Sequence, residues 1–274
     1  MRLNRKDNLD YYKKTGVICM KAYDVVSHIL LKVAEAVKPG VRTNELATYA
    51  EELINLNGVV PILKGYAPKW AKVPFPASIC ISVNEVIAHG IPNEYKLTGG
   101  DIVSFDLGVR TPEGDCGDGA LTVPVGEINN QLTRLLYYAN QMVYHAINCM
   151  KPDVPTKDLA HEIESFALMR GYKVNRRFCG HKIGKEMHER PRIYNTVEEK
   201  NEWGVLKVGE VYCIEPMLTT GKDNIGITFD GWTTFTQDRK PSAVFEHMIE
   251  ITPEGAKVLT THFQDFKVRA GDNL

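Results

Sequence analysis

Acidic residues interrupt apolar segments at three places in the sequence. Asp106 follows Ile-Val-Ser-Phe, Glu215 follows Val-Tyr-Cys-Ile, and Glu246 lies within Val-Phe-Glu-His-Met-Ile. An ionised carboxylate in apolar surroundings has a steep desolvation cost unless it is paired or bound to a cation. Any one of these residues could instead face outward from a strand, but the three together favour a shared cation.

Asp118 and His181 extend this candidate ligand set. Asp118 lies in the segment Gly-Asp-Cys-Gly-Asp-Gly, which by itself indicates an ordinary turn, and His181 lies in Cys-Gly-His-Lys-Ile-Gly. A lone histidine is more often structural than a ligand. One histidine with several carboxylates, however, suits Mn, Fe, Co or Zn and is a poor set for a thiolate-type structural zinc site.

The composition narrows the class of protein. The chain has 274 residues, 43% of them hydrophobic, so it can bury a large core. Lys and Arg (33) nearly balance Asp and Glu (34), which gives no reason to expect binding to nucleic acid or to an anionic membrane. No apolar run approaches the ~20 residues that span a bilayer, and no signal-peptide core follows Met1. These features predict a cytoplasmic protein.

Two further features of the composition lead to structural expectations. The Lys-rich segment 2–14 also carries Asp and Tyr residues, which predicts the solvated face of a helix. The six cysteines are scattered without a Cys-x-x-Cys pair, which predicts reduced and mostly buried thiols. Cys179 and Cys213, although they lie near the candidate ligands, are accordingly predicted to be small buried apolar side chains.

A stretch of the sequence occurs twice. Residues 37–47 return as residues 150–160, an offset of 113 positions. In both copies the pattern predicts that a helix ends before a proline, the chain turns, and a second helix begins. Thr43 or Thr156 is predicted to cap that second helix.

The repeat continues downstream. Gly58 and Gly171 are predicted to stop the capped helices. Residues 100–106 then resemble residues 209–215, each predicted to be a glycine turn that enters a strand and ends on a carboxylate. Chance similarity is the alternative reading. The duplication predicts one α+β domain, residues 1–274, built of two related halves at about 20–125 and 130–255, with the active site between the halves.

The remaining elements are predicted from hydrophobic periodicity and side-chain branching. Helices are predicted at residues 23–37 and 131–150, and strands at residues 79–87, 102–109, 211–217 and 244–251. Residues 64–76, with three prolines, are predicted to be a loop.

Short segments in a fixed order resemble the successive motifs of type I methionine aminopeptidases. These are His89-Gly90-Ile91-Pro92, Gly100 to Asp106, Gly117-Asp118, Cys179 to Gly184, His188-Glu189-Arg190-Pro191, Ile214-Glu215-Pro216-Met217 and Phe245-Glu246-His247. The similarity extends from about residue 24 to residue 260. It implies the pita-bread fold, a pseudo-two-fold α+β architecture with an antiparallel sheet and helices on its outer face. It also implies the short bacterial or organellar form of the enzyme.

The resemblance implies a role for each candidate ligand. Asp106 would chelate one of two divalent ions (Co, Mn, Fe or Zn), His181 and Glu215 would ligate the other, and Asp118 and Glu246 would bridge them. Such a pair of ions can activate a water that attacks a peptide carbonyl. By the same resemblance, Glu215 also carries the proton from the water to the leaving amine.

The substrate contacts are implied in the same way. His188 would contact the substrate carbonyl and stabilise the oxyanion, and His89 would contact the scissile amide. Tyr66, Phe75, Cys80 and Trp232 fall where the family has an apolar methionine pocket, with ordinary core packing as the alternative. The implied enzyme is a monomer that acts on peptide and nascent-protein N-termini, close to the ribosome, without binding nucleic acid or membrane.

Several positions depart from the family pattern. Asp106 and Asp118 are 12 residues apart, one more than expected, which implies a longer hairpin at residues 111–114. Gly-Ala-Leu replaces the usual hydroxyl-bearing residues after Asp118, which suggests weaker support of that ligand. Lys182 and Glu186 stand where small residues are common, and Met187 replaces a pocket aromatic. The loop 66–75 is longer than usual.

These departures leave two alternatives open. One is a pita-bread hydrolase with a different N-terminal or X-Pro specificity. The other is a peptide-binding relative without catalysis, against which the retention of all the ligand types argues.

Overall fold

Four helices form the outer layer of the part of the chain that the computed structural model describes, residues 21–197 and 202–260. They are α1 (Ala22–Glu35), α2 (Thr43–Leu56), α3 (Asn130–Cys149) and α4 (Thr156–Leu168). The buried residues of α1 and α3 recur at helical spacing, so each helix turns one apolar face to the core. The helices predicted at 23–37 and 131–150 are confirmed to within two residues. The segment 2–14 lies outside the described residues.

Within the described residues, fifteen strands form four antiparallel sheets. They are β1 (Val60–Pro61), β2 (Cys80–Val83), β3 (Val86–Ala88), β4 (Ile102–Arg110), β5 (Cys116–Pro124), β6 (Lys173–Val174), β7 (Cys179–Ile183), β8 (Glu189–Tyr194), β9 (Val211–Ile214), β10 (Met217–Thr219), β11 (Ile225–Ile227), β12 (Thr234–Thr236), β13 (Ser242–Val244), β14 (His247–Thr252) and β15 (Gly255–Val258). The sheet orders are β1-β4-β2 with β5 on β4, β13-β10-β6, β11-β12-β3 and β15-β14-β9-β7-β8. The predicted α+β class with antiparallel pairing is confirmed.

Helix α1 packs against β4 and β5, whereas α3 packs against α4 and against β10 and β13. Most of the buried apolar side chains between these helices and the sheets belong to one continuous core. The strands that carry the candidate ligands are thus held from behind by a packed helical layer. No helix in the two described ranges is long and apolar enough to cross a membrane.

The two repeated threonines do not cap their helices as predicted. Thr43 and Thr156 are the first residues of α2 and α4, and neither N-cap residue makes a side-chain cap bond. The Thr43 hydroxyl instead donates to the Asn93 carbonyl and accepts from the Asn93 N–H, both at 2.9 Å. The Thr156 hydroxyl accepts from the Gly204 N–H at 3.0 Å. Each hydroxyl therefore ties its helix to a segment about 50 residues further along.

The predicted helix stops are confirmed. Gly58 and Gly171 follow α2 and α4 with positive φ angles of 64° and 77°. Helix, turn, helix and strands follow each other in the same order before and after residue 130. The boundaries of the two halves remain a prediction.

Three of the predicted strands are each broken into two. Segment 79–87 contains β2 and β3, separated by a turn at Asn84, whose φ is 53°. Segment 211–217 breaks at Glu215 and Pro216, since proline has no N–H for a ladder bond. Segment 244–251 breaks at Glu246, whose N–H donates to the Ala120 carbonyl of β5 at 2.8 Å.

The positions of two aspartates also differ from the prediction. Asp106 lies in the middle of β4 rather than at its end, and Asp118 lies inside β5 rather than in a turn. The turn is at residues 111–115, where the hairpin was predicted, and Gly114 adopts φ 86° there. Residues 64–76 contain no helix or strand, which confirms the predicted loop.

Candidate metal centre

The five candidate ligands border a single cavity of about 600 Å³. They come from different strands: Asp106 from β4, Asp118 from β5, His181 from β7, Glu215 from the residue after β9, and Glu246 from the break between β13 and β14. Residues as far as 140 positions apart in the sequence are thus brought to one place. The structure assembles the whole predicted set.

The distances within the cluster are short. The His181 Nε2 atom lies 3.8 Å from Asp118 Oδ2 and 3.6 Å from Glu215 Oε1. Asp118, His181, Glu246 and Cys213 each offer one ligand atom within 4.8 Å of the others. A divalent ion between them would need only small side-chain adjustments to reach the ~2.0–2.3 Å bonds typical of these ligands.

Glycines next to two of the ligands allow the strands to approach. A Cβ on Gly117, before Asp118, would lie 2.6 Å from the Ala22 backbone. A Cβ on Gly180, before His181, would lie 2.3 Å from the Cys213 carbonyl oxygen. Any larger residue at either position would push a ligand strand away from its neighbour.

Burial and mutual repulsion hold the four carboxyl groups toward their protonated forms. Desolvation raises the pKa of Asp106 to about 6. Desolvation, and after it the negative charges of the neighbouring carboxylates, raise the pKa values of Asp118, Glu215 and Glu246 well above their usual range. Arg192 lowers the pKa of Glu215, but burial outweighs it. The nearby Arg192 guanidinium does not balance four carboxyl groups in one buried cluster.

The protonation state of His181 fits a metal ligand. Burial lowers its pKa to about 3, so the ring is neutral near pH 7. Its Nδ1 lies 3.1 Å from the Lys182 carbonyl oxygen, which can only accept, so Nδ1 carries the proton. The lone pair of Nε2 then faces the carboxylates of Asp118 and Glu215. Acceptors that face one another in this way are stabilised by a cation between them.

Glu246 supplies a second observation in favour of a cation. Its side chain is 3% exposed, and its Oε1 atom has no hydrogen-bond partner among the described residues. A buried acceptor without a partner is costly. The carboxylate-rich donor set and this unpartnered oxygen together fit one or more divalent ions.

Cys213 packs as predicted. It is fully buried beside Cys116, Ile183 and Met248, as expected of a small apolar side chain. Desolvation and the nearby carboxylates raise the pKa of its thiol well above the usual range. The thiol therefore stays protonated beside the candidate ligands. Cys179 is only half-buried and borders the cavity, so the prediction of a buried filler is wrong for it.

The five described cysteines are free thiols, three buried and two half-buried, which agrees with the predicted reduced state; Cys19 lies outside the described residues.

The four residues of the predicted methionine pocket line the same cavity. Phe75, Cys80 and Trp232 are each 2% exposed and pack together, with Tyr66 partly buried against them. The rings of Phe75 and Trp232 meet edge to face at 5.2 Å. The structure therefore places all four residues at the cavity wall rather than in the main core.

Two histidines stand between this pocket and the ligand cluster. The ring of His188 lies 4.5 Å from that of His181, and its Nδ1 lies 3.3 Å from the Tyr66 hydroxyl. His89 has a φ of 54°, a left-handed conformation that is uncommon outside glycine and often marks a functional position. Burial lowers the pKa of each of these two rings to about 4, so both are neutral near pH 7.

The departures from the family pattern fall both inside and outside the cavity. Met187 is buried and lines the cavity. Lys182 and Glu186 do not line it: Lys182 pairs with Glu210 at 3.0 Å, and the exposed Glu186 lies 3.4 Å from Arg110. The N–H of Gly119 donates to Asp118 Oδ1 at 3.0 Å. The backbone thus supports Asp118, where weaker support was expected.

Other residues at the cavity were not predicted from the sequence. Arg192 lies opposite His181 in the β7–β8 pairing, and β8 itself was not among the predicted strands. Phe178 meets the His89 ring edge to face at 5.4 Å. Trp70 lies within the long loop, whose length was the one signal in the sequence that pointed to it.

Comparison with known proteins identifies the family of this chain. The model of metallopeptidase family M24 matches residues 18–253. The chain belongs to metallopeptidase family M24. A methionine aminopeptidase of Helicobacter pylori is 37% identical over 243 residues, covering 88% of this chain and 93% of that protein. Methionine aminopeptidase 1 of Bacillus subtilis is 38% identical, over 82% of this chain and 87% of that protein.

Solved structures of the family share the fold. The methionine aminopeptidase of Rickettsia prowazekii superimposes with a TM-score of 0.81 at 30% identity, over 95% of this chain and 99% of that one. A prolidase from Pyrococcus furiosus reaches a TM-score of 0.68 at 24% identity, which shows the fold alone. The resemblance to methionine aminopeptidases, the pita-bread fold and the class of metal-dependent exopeptidase are therefore confirmed.

Proposed function

We propose that this M24 peptidase removes N-terminal methionine from peptides and nascent proteins with the five residues of the cluster as its metal ligands. One observation carries the proposal. The carboxylate and histidine cluster lies at a cavity that is also lined by a packed group of aromatic and sulfur side chains. An unbranched thioether is well accommodated by such surroundings.

Two divalent ions fit the donor set, with Asp106, Asp118, His181, Glu215 and Glu246 as their ligands. When bound, such ions act as Lewis acids and supply a water nucleophile that is active near neutral pH. The ion used in the cell is drawn from Co, Mn, Fe and Zn, the metals that one imidazole with several carboxylates accommodates.

Glu215 moves the proton in this scheme. It lies where the cluster meets the cavity, with 16% of its side chain exposed, and burial raises its pKa well above the usual range. A carboxylate with a raised pKa can accept a proton from water and release it to a leaving amine near pH 7. Asp118 and Glu246 are each about 5% exposed or less, and they are less accessible to a leaving group.

His188 binds the substrate carbonyl. Its pKa of about 4 keeps the ring neutral, so only one ring nitrogen carries a proton. The Tyr66 hydroxyl, 3.3 Å from Nδ1, can donate to that atom and leave the proton on Nε2. Nε2 is then a donor for the oxygen that becomes negative as the carbonyl is attacked.

His89 binds the scissile amide beside the methionine pocket. Its ring meets that of Trp232 edge to face at 5.9 Å, so it contacts the pocket wall directly. The left-handed backbone fixes the ring at this junction. Together with Tyr66, Phe75, Cys80 and Trp232 it holds the methionyl residue between the pocket and the ligand cluster.

The test of the proposed function compares two peptide classes. Protein stripped of metal and reloaded separately with Co, Mn, Fe or Zn is assayed on Met-Ala-Ser and on Ala-Pro peptides. We expect release of methionine with at least one ion and no cleavage of the Ala-Pro bond. Cleavage of Ala-Pro alone would assign an X-Pro peptidase, and failure with every ion and peptide would favour a non-catalytic binding protein.

The His188→Ala variant separates substrate binding from metal binding. We expect kcat to fall by ~10²- to 10³-fold, the usual effect of removing one oxyanion donor. Metal content should remain that of the parent, because His188 is outside the ligand cluster. His161→Ala, at an exposed histidine of α4, is the matched control. An unchanged kcat, or a loss of bound metal that accounts for the whole effect, would rule out the oxyanion role.

The proposal also concerns the substrate ends, the cellular location and the oligomeric state of the enzyme. Action on peptide N-termini follows from the exopeptidase class. Work close to the ribosome, a monomeric state and a cytoplasmic location remain predictions from the sequence.

A further inference from the structure

The unusually long loop at residues 64–76 is tied to the pocket at several points. The Gly65 N–H donates to the Phe75 carbonyl at 2.8 Å, and the Phe75 N–H donates to the Tyr66 carbonyl at 2.9 Å. The indole N–H of Trp232 donates to the Val73 carbonyl at 2.9 Å. These bonds close the loop at its base and fix it to the pocket wall, so its tip has a defined place.

Trp70 is the aromatic residue at that tip. Its ring stacks on the His89 ring at 6.2 Å with an interplanar angle of 24°, and it meets the Trp232 ring edge to face at 4.9 Å. Trp70 nevertheless remains 58% exposed and lines the cavity. An indole that contacts the pocket but keeps most of its surface in solvent contributes little to the core and presents a large apolar face to any ligand.

The path of the bound peptide determines which of its residues meets the exposed face of the Trp70 ring. In the proposed function the methionine side chain packs against Phe75, Cys80 and Trp232, which are each 2% exposed, so the rest of the peptide does not continue past them. The remainder of the peptide must therefore leave from the scissile amide toward solvent. His89 lies at that amide in the proposed function, and Trp70 is the exposed ring that stacks on it.

We propose that Trp70 determines specificity for the second residue of the substrate, by forming the wall that this residue meets and by excluding large side chains there. The proposal rests on the proposed function, because it takes the position of the scissile amide from it. Small second residues pass beside the indole, whereas branched or aromatic ones collide with it or displace the loop.

The experiment measures kcat/KM for a series Met-Xaa-Ser in which Xaa is Gly, Ala, Val, Leu or Phe. The parent protein, Trp70→Ala and Trp70→Phe are compared with the same bound metal. In Trp70→Ala we expect the ratio of Leu to Ala substrates to rise by roughly 10-fold or more, the scale on which a pocket discriminates apolar groups. Trp70→Phe should lie between the two.

Lys69→Ala is the matched control, because Lys69 is an exposed residue of the same loop without a ring contact to the pocket. A second series varies the first residue, with norleucine and leucine in place of methionine. An unchanged Leu to Ala ratio, or a change confined to the first residue, would overturn the proposal and make Trp70 a cover of the methionine pocket. Absence of methionine release from every peptide by the parent would instead refute the proposed function itself.

Discussion

The Glu215→Gln variant is expected to lose at least ~10³-fold in kcat on Met-Ala-Ser while its fold is retained. General acid–base groups contribute ~10²- to 10⁴-fold, and Glu215 is also one of the proposed metal ligands. Glutamine keeps the size of the side chain but cannot accept and release the proton. The residue lies 3.6 Å from His181, so the substitution changes charge at the centre of the cluster without leaving a void. Steady-state kinetics at saturating metal measures the effect.

The control for this variant is Glu250→Gln. Glu250 lies in β14 on the sheet that also holds β9, and it forms a partly exposed pair with Lys257 at 3.3 Å. Such pairs are worth little, so activity and Tm should remain those of the parent. A near-normal rate in Glu215→Gln would show that another group moves the proton. Far-UV circular dichroism and Tm confirm that both variants fold.

The Asp118→Asn variant should be more stable than the parent when both are free of metal. Asp118 is 5% exposed, and desolvation and the charge of Asp106 raise its pKa well above the usual range. Replacing buried charged groups with neutral residues of similar volume is often stabilising, by about 1–4 kcal/mol in the ion pairs for which it has been measured. In a domain of this size each 1 kcal/mol shifts Tm by roughly 2–4 °C. The same variant should lose most of the Tm increase that divalent ions give the parent, because ligand binding stabilises only the form that binds.

The pH dependence of this difference follows from the sign of the pKa shift. A carboxyl group whose pKa is raised in the fold is favourable when protonated, and this contribution is lost as the pH rises through the folded pKa. The advantage of Asp118→Asn without metal should therefore be largest at alkaline pH and should vanish as the pH falls toward ~4, the unfolded pKa. Asp115→Asn, at an exposed aspartate of the same hairpin, is the control. A metal-free Tm equal to or below that of the parent would mean that Asp118 is not under electrostatic strain.

The sequence alone predicted the fold class and the residues that meet at the cavity. No single carboxylate among apolar residues was decisive, but three of them together favoured a shared cation, and the duplication related Asp106 to Glu215 without any reference to their distance. The ends of the strands were less predictable. Pro216 and the bond from the Glu246 N–H to Ala120 interrupt segments whose apolar residues suggest a single strand. The pairing partner, which lies far away in the sequence, decides where such a strand ends.

The rim of the cavity shows the limits of prediction from local sequence. Lys182 was expected to affect the site because of its type, but its pairing with Glu210 places it outside the cavity. Arg192 carries no local signal, and the length of its loop was the one signal for Trp70, since the importance of both residues depends on which strand or ring lies beside them. Thr43, at the start of a helix, likewise has a contact that depends on a residue distant in the sequence. Its hydroxyl bonds to Asn93, 50 residues later, rather than to its own helix.

The backbone bridge between Ala120 and Glu246 joins two parts of the chain, one before and one after helix α3 in the sequence. Asp106 and Asp118 precede that helix in the chain, and the other three candidate ligands follow it. A chain emerging from a ribosome therefore presents only two of the candidate carboxylates until the 97 residues from Asp118 to Glu215 have been made. In the proposed function, tight capture of metal waits for long-range pairing, which is among the slower events in folding. We therefore expect hydrolytic activity to be acquired late in synthesis, so that an incomplete copy of the enzyme does not cut other growing chains.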